Sequence, residues 1–150
     1  MSLKPHVMDH LVNAFKDRRN NRLTEHKRIR KAAEQETATL NALEQFRQER
    51  LDHRRDRNGD TDQRVTVPQQ AQESRFDGRL VDAIRQQSET IEKINHASAE
   101  SARELDLAQR KLAAMQVLLD RQNQRKRQAD LRAEQKIADE LAGKHHLNHS

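Results

Sequence analysis

Counting back from Leu119 in steps of seven gives Leu112, Leu105, Ser98, Ile91 and Ile84, and the positions between them are Met115, Ala108, Ser101, Ile94, Gln87 and Leu80. This is the a/d seam of a coiled coil, with Gln87, Ser98 and Ser101 as its polar members and no proline inside it. A strand has no use for a period of 3.5 residues. A helix with so narrow an apolar stripe must bury it against another helix. Residues 80–119 therefore demand a helical partner, and the first question is which chain supplies it.

Composition closes off the other architectures. Only 33% of the residues are hydrophobic and 2% aromatic, against 35% charged, so a rounded core cannot be filled. The alternative with such a composition is disorder, and the heptads decide for helix. There is no cysteine, hence no disulfide framework. Residues 1–10 carry no apolar run of signal-peptide length, and nowhere do enough apolar residues adjoin to span a bilayer. These features predict a soluble, cytosolic protein without direct membrane insertion. The 29 basic residues are interleaved with 24 acidic ones for a net +5, a weaker imbalance than a general nucleic-acid binder carries.

Taken in order, the chain predicts a first helix over about 5–57. Met8, Val12, Phe15, Arg22, Ile29, Ala33, Leu40 and Leu43 follow a drifting a/d stripe, with Leu11, Ala32 and Phe46 beside it. Arg18, Arg19, Arg22 and His26 thin its middle, where long basic stems cover apolar surface while their heads stay wet. The run Asn58-Gly59-Asp60-Thr61-Asp62, followed by Pro68, predicts a tip loop over about 58–67. A second helix is expected over about 68–142, on the order of 110 Å long, with Gly143 as its stop and 143–150 as a tail. A short break between long amphipathic helices makes them antiparallel neighbours. Facing positions should then add to about 126, which sets Phe46 opposite Leu80, Leu43 opposite Ala83 and Ile29 near Ala97. On that register the first helix and the heptads both run out near Leu119. The expected fold is all-α: one elongated domain over 1–150, a long antiparallel two-helix coiled-coil hairpin with an overhanging C-terminal helix. A monomeric hairpin is favoured over a parallel dimer.

Catalytic constellations are missing. There is no phosphate-binding glycine loop and no nucleophile elbow, and a two-helix hairpin offers no pocket of the usual volume, so neither an enzyme nor a cofactor is expected. His145, His146 and His149 could share a metal ion, but they lie past the expected helix end without a carboxylate or thiol, and a polar tail is the plainer reading. The basic run over 18–31 resembles the DNA-binding segment of a leucine-zipper protein, yet no parallel zipper follows it, and a solvated helix face is expected instead of nucleic-acid binding. Phe46 and Phe76, two of the three aromatic residues, fall on opposite helices near the tip. They either lock the closed end of the hairpin or form a docking patch, and the two roles are compatible.

Three stretches carry a family resemblance. The first is Lys111-Leu112-Ala113-Ala114-Met115-Gln116-Val117-Leu118-Leu119-Asp120-Arg121-Gln122. It continues through Arg132, Gln135-Lys136 and Asp139-Glu140-Leu141-Ala142, and a third stretch is Phe76-Asp77-Gly78-Arg79-Leu80-Val81-Asp82-Ala83-Ile84. Together they resemble the FliJ family of flagellar export stalk proteins and its injectisome relatives of the YscO and HrpO type. The off-seam residues Gln116, Arg121, Gln135-Lys136 and Asp139-Glu140 carry most weight, because heptads resemble one another cheaply. Met115 and Arg50 stand where the flagellar pattern has aromatics, departures that point to an injectisome relative.

The resemblance implies an antiparallel two-helix stalk. Its open end sits in the pore of the hexameric export ATPase, and its loop-proximal part touches the membrane export gate. Phe76, Leu80 and Ala83 match gate-contacting positions on the second helix, and Leu43 and Phe46 those on the first. Phe15, Leu112, Met115, Leu119, Arg121, Gln135, Lys136, Asp139 and Glu140 are the implied ATPase contacts. The implied function is the central cytoplasmic stalk of a bacterial type III secretion apparatus, peripheral to the inner membrane, promoting ATPase assembly or activity; secretion chaperones are further partners. The alternative is a secretion chaperone or escort protein whose seam is completed by a substrate helix.

Overall fold

In a computed structural model, residues 4–59 and 65–148 are described, and nearly all of them are helical. Helix α1 spans Pro5–Asn58 and helix α2 spans Val67–Asn148. Most of the expected tip loop, residues 60–64, and His149 lie outside the described residues. The start of α2 is set locally by a capping box. The Thr66 backbone N–H donates to Gln69 Oε1 (3.1 Å), and the Gln69 N–H donates back to Thr66 Oγ1 (3.4 Å). Pro68 falls in the first turn, where its missing donor leaves nothing unsatisfied. At the far end of α1 the Gly59 N–H closes a last turn on the Arg55 carbonyl (3.0 Å).

The two helices form an all-α hairpin. They contribute to two compact units: residues Leu23–Glu104, and the start of α1 up to Arg22 together with α2 from Leu105 onward. In the first unit Leu80 and Ser101 are buried, and Ile29, Ala33, Leu40, Leu43, Ile84, Ile91 and Ile94 are half-buried. Gln87, a polar seam residue, is accounted for: its side-chain amide donates across the helix pair to the Glu36 backbone carbonyl (2.9 Å). The same amide also donates to the Glu36 carboxylate, and leaving it unpaired in the seam would carry a desolvation cost. In the second unit Met8, Val12 and Leu112 are buried, while Phe15, Met115 and Leu119 are half-buried.

Three expectations need correction. The stripe on α1 does not drift: Met8, Val12, Phe15, Arg19, Arg22, His26, Ile29, Ala33, Glu36, Leu40 and Leu43 alternate in steps of four and three, as do Arg50, Arg54 and Arg57 beyond them. Polar residues occupy seam positions, which hides the repeat from a count of apolar residues; only Arg22 among those named is exposed. His26 Nδ1, in the thin middle of the stripe, is buried without a partner among the described residues. The seam on α2 extends past Leu119 to a half-buried Gln122. Finally, α2 does not stop at Gly143 but continues to Asn148. A glycine ends a helix by entering the left-handed region, and no glycine of the described chain does so. In an exposed helix interior it costs about 1 kcal/mol relative to alanine, too little to break a helix flanked by good formers.

Candidate functional site

Two groups of side chains stand out, one in each unit. The first is built where the Leu23–Glu104 unit runs out of apolar seam residues. Stepping down α2 from Leu80 by the same period reaches Asp77 and Glu73, and the half-buried seam residues of α1 there are Arg50, Arg54 and Arg57. Arg57 grips Glu73 through two bonds of 2.7 and 2.9 Å. Arg50 Nε donates to Asp77 Oδ1 (3.2 Å), and Arg54 bonds the other oxygen of the same carboxylate. Arg57, with Arg54 and Arg50 adding their charges, holds the Glu73 carboxyl below its ordinary range although partial burial pushes the other way. The same bond raises the Arg57 guanidinium, which stays charged throughout.

Directly above this ionic clasp, Phe46 and Phe76 meet edge to face, with ring centroids 6.1 Å apart and planes at 79°. Arg50 lies over the Phe76 ring at 4.4 Å, so one guanidinium serves both the carboxylate and the aromatic face. The two rings remain 43% and 42% exposed, whereas Leu80 beneath them is buried and Leu43 and Ala83 are half-buried. Of the five residues implied as gate contacts, the structure therefore offers Phe46 and Phe76 as surface and uses the other three as support. The clasp itself went unread in the sequence. Its signal was present: the heptad count, continued below Leu80, meets Asp77 and Glu73 on one helix, and continued past Leu43 meets Arg47, Arg50, Arg54 and Arg57 on the other.

The second group lies on α2. Leu112 is buried and Met115 and Leu119 are half-buried at seam positions, so they hold the helix pair together; half-buried Phe15 on α1 packs under the Arg18 guanidinium at 5.5 Å. Arg121, Gln135, Lys136, Asp139 and Glu140 are exposed, as is every residue from 123 to 148. Leu131, Ile137, Leu141 and Leu147 in that stretch are 57–74% exposed. With 3.6 residues per turn, Arg121, Gln135, Lys136 and Asp139 share a face and Glu140 stands to its side. A helix that displays apolar residues without covering them is shaped to be covered by something else.

Nothing in either group resembles a reaction centre. The depression lined by Glu49, Arg50, His53, Arg54, Arg57 and Glu73 holds about 180 Å³, less than small-molecule sites provide. A larger furrow lined by Ala33, Thr37, Ala38, Asn41, Asn95 and Ser98 has only Arg30 and Glu34 as charged members. Among the described residues no three histidines, cysteines or carboxylates gather to hold a metal ion, and no helix is long and apolar enough to cross a membrane.

A helical hairpin with a charged clasp, an exposed aromatic pair and a stretch of uncovered helix defines a scaffold class, a protein that works by holding others. The match to known proteins agrees: the profile of the flagellar FliJ protein family covers residues 6–150, and the chain belongs to that family. No curated protein and no solved structure gives a significant match. Members of the family are structural, stalk-like components on the cytoplasmic side of flagellar and type III export apparatus, associated in general with an export ATPase and an export gate, and are not enzymes.

Proposed function

We propose that this chain is the central stalk of an injectisome export apparatus, joining the hexameric ATPase to the export gate and promoting assembly or activity of the ATPase. The observation that carries this reading is the uncovered helix over 123–148: it gains nothing from α1, and a socket in a partner supplies the burial it lacks. Arg121, Gln135, Lys136, Asp139 and Glu140 are its contact residues, and Phe15, Leu112, Met115 and Leu119 keep the helix pair beneath them in place. At the gate, Phe46 and Phe76 make the contact and Leu43, Leu80 and Ala83 support them. The injectisome assignment rests on Met115 and Arg50. Arg50 in particular has a structural role of its own, over Phe76 and against Asp77, in place of an aromatic. The filled seam speaks against a chaperone that waits for a substrate helix.

The test is steady-state hydrolysis by the export ATPase encoded beside this protein, with and without the chain, and with residues 120–150 removed. Stimulation that disappears on truncation is the expected result. No stimulation at any ratio, with helix content intact by circular dichroism, would overturn the reading.

A further inference from the structure

Two of the three glycines follow an amide or carboxylate side chain, in Asn58-Gly59 and Asp77-Gly78, and both pairs adjoin the ionic clasp. Glycine has no Cβ to crowd its amide nitrogen. That nitrogen can attack the side-chain carbonyl carbon of the residue before it and close a five-membered succinimide ring. The other asparagines all precede residues that carry a side chain.

The two pairs differ in what holds them. Asp77 and Gly78 lie inside α2, and the Asp77 carboxylate is engaged by Arg50 and Arg54. An ionised carboxylate offers no good leaving group, whereas a primary amide can lose ammonia. Asn58 is the last residue of α1 and is exposed, and the Gly59 N–H donates to the Arg55 carbonyl at 3.0 Å. That bond occupies the nucleophile. Helical ψ at Asn58 also turns the following nitrogen away from the side-chain carbonyl carbon. The turn is anchored by its neighbour, since Arg57 is bound to Glu73 on α2 through bonds of 2.7 and 2.9 Å. Helix ends fray first, and the nearest tertiary contact sets how far.

We infer that Asn58 is a site of spontaneous deamidation, gated by the last turn of α1 and therefore by the ionic clasp. In the frayed turn the Gly59 nitrogen gives up its proton to solvent and bonds to Asn58 Cγ. The bond from Cγ to the amide nitrogen breaks, and ammonia leaves. Water then opens the succinimide at either carbonyl, giving aspartate or isoaspartate, the latter with an extra methylene in the main chain. Water is the only co-reactant, and nothing is oxidised or reduced. Either product sets a carboxylate at the C-terminal end of α1, where the helix dipole disfavours an anion. The modification thus loosens the turn that restrained it. The inference does not depend on the stalk assignment, because it is read out on this protein alone.

The experiment incubates the full-length chain at near-neutral pH and physiological temperature and follows Asn58 by peptide mass mapping. A synthetic peptide of residues 54–62, too short to hold a helix, is the unprotected reference. Conversion in the chain is expected to be about tenfold or more slower than in the peptide, because only the frayed population reacts. Glu73→Gln, which removes the charge that holds Arg57, should speed it about threefold or more. Raising ionic strength from about 0.05 M to about 0.5 M should act the same way on the chain and leave the peptide unchanged. Gly59→Ala should abolish conversion. Its Cβ meets the Arg55 and Asp56 carbonyl oxygens at 3.5 and 3.6 Å, an ordinary contact, so the turn survives while the nucleophile is crowded. Asn41 and Asn95, inside the helices, should stay unmodified throughout. Circular dichroism checks that each variant keeps its helix. Equal rates in chain and peptide, a Glu73→Gln chain no faster than the unsubstituted one, or an Asn58 that stays intact in Glu73→Gln while the peptide converts would each overturn the inference.

Discussion

Leu112 and Leu118 are neighbours on one helix with opposite prospects, and exchanging each for alanine separates packing from surface. Leu112 is 5% exposed in the seam, and Leu118 is 48% exposed outside it. Truncating a fully buried leucine costs about 2–5 kcal/mol, the transfer of its lost carbons plus a term for the cavity they leave. A seam one layer deep, open to water on both sides, collapses readily onto such a cavity, so Leu112→Ala belongs near the low end, about 2–3 kcal/mol. Leu118→Ala opens no cavity and should stay within about 0.5 kcal/mol. For a chain of this size the difference is a fall of roughly 5–10 °C in the melting midpoint for Leu112→Ala and next to none for Leu118→Ala. Urea unfolding followed at the helix band, with native-state hydrogen exchange to locate the loss in the unit that contains Leu112, measures both. Equal effects from the two substitutions would refute the seam assignment. So would a Leu112→Ala protein of unchanged stability that no longer stimulates the ATPase, for then Leu112 would be a contact after all.

Acidification should release the tip of the hairpin first. Glu73 has a folded pKa below its ordinary value of 4.5, so its contribution is fully present above that value and is lost as pH falls through the lowered one. Amides around 50–57 and 70–77 should lose exchange protection in that acidic window while those beside Leu112 keep theirs, and Glu73→Gln should remove the dependence; a tip indifferent to pH down to global unfolding would refute the clasp. Phe76→Ala removes an edge-to-face contact and the cation–π contact of Arg50, together worth about 1–2 kcal/mol, and should abolish capture of the soluble gate domain in a pull-down. If it lowers the melting point and leaves capture intact, the aromatic pair only closes the hairpin.

The helices and the α2 seam were legible because apolar residues mark them. Each heptad position from Leu80 to Leu119 is buried or half-buried, including Gln87, Ser98 and Ser101, which a hydropathy count passes over. The same period ran on through residues that hydropathy scores as surface. Glu36, Arg50, Arg54, Arg57, Glu73 and Asp77 sit in the seam because each finds a partner across the pair, and partnership is invisible until a register is set. The exposure of individual candidates was equally hidden. Leu112 and Leu118 belong to one matching motif, and only the direction of the side chain makes one a packing residue and the other a surface. Gly143 misled for a different reason: glycine permits a helix end without requiring one.

The clasp also bears on the choice between an intrachain hairpin and a parallel dimer, which the heptads alone left open. A seam of leucine and isoleucine packs against itself in either arrangement, so residues 80–119 cannot distinguish them. Charges can. The cations are all on α1, at 50, 54 and 57, and the anions all on α2, at 73 and 77. Parallel copies in register would set arginine against arginine on one helix and carboxylate against carboxylate on the other, each partly shielded from water and without a counter-charge. Breaking such pairs is far costlier than their net contribution when made, because the orphaned charge keeps its desolvation penalty. The ions therefore add little to the stability of the hairpin but weigh heavily against the competitor, and this explains why the seam changes from apolar to ionic where the chain must turn back on itself.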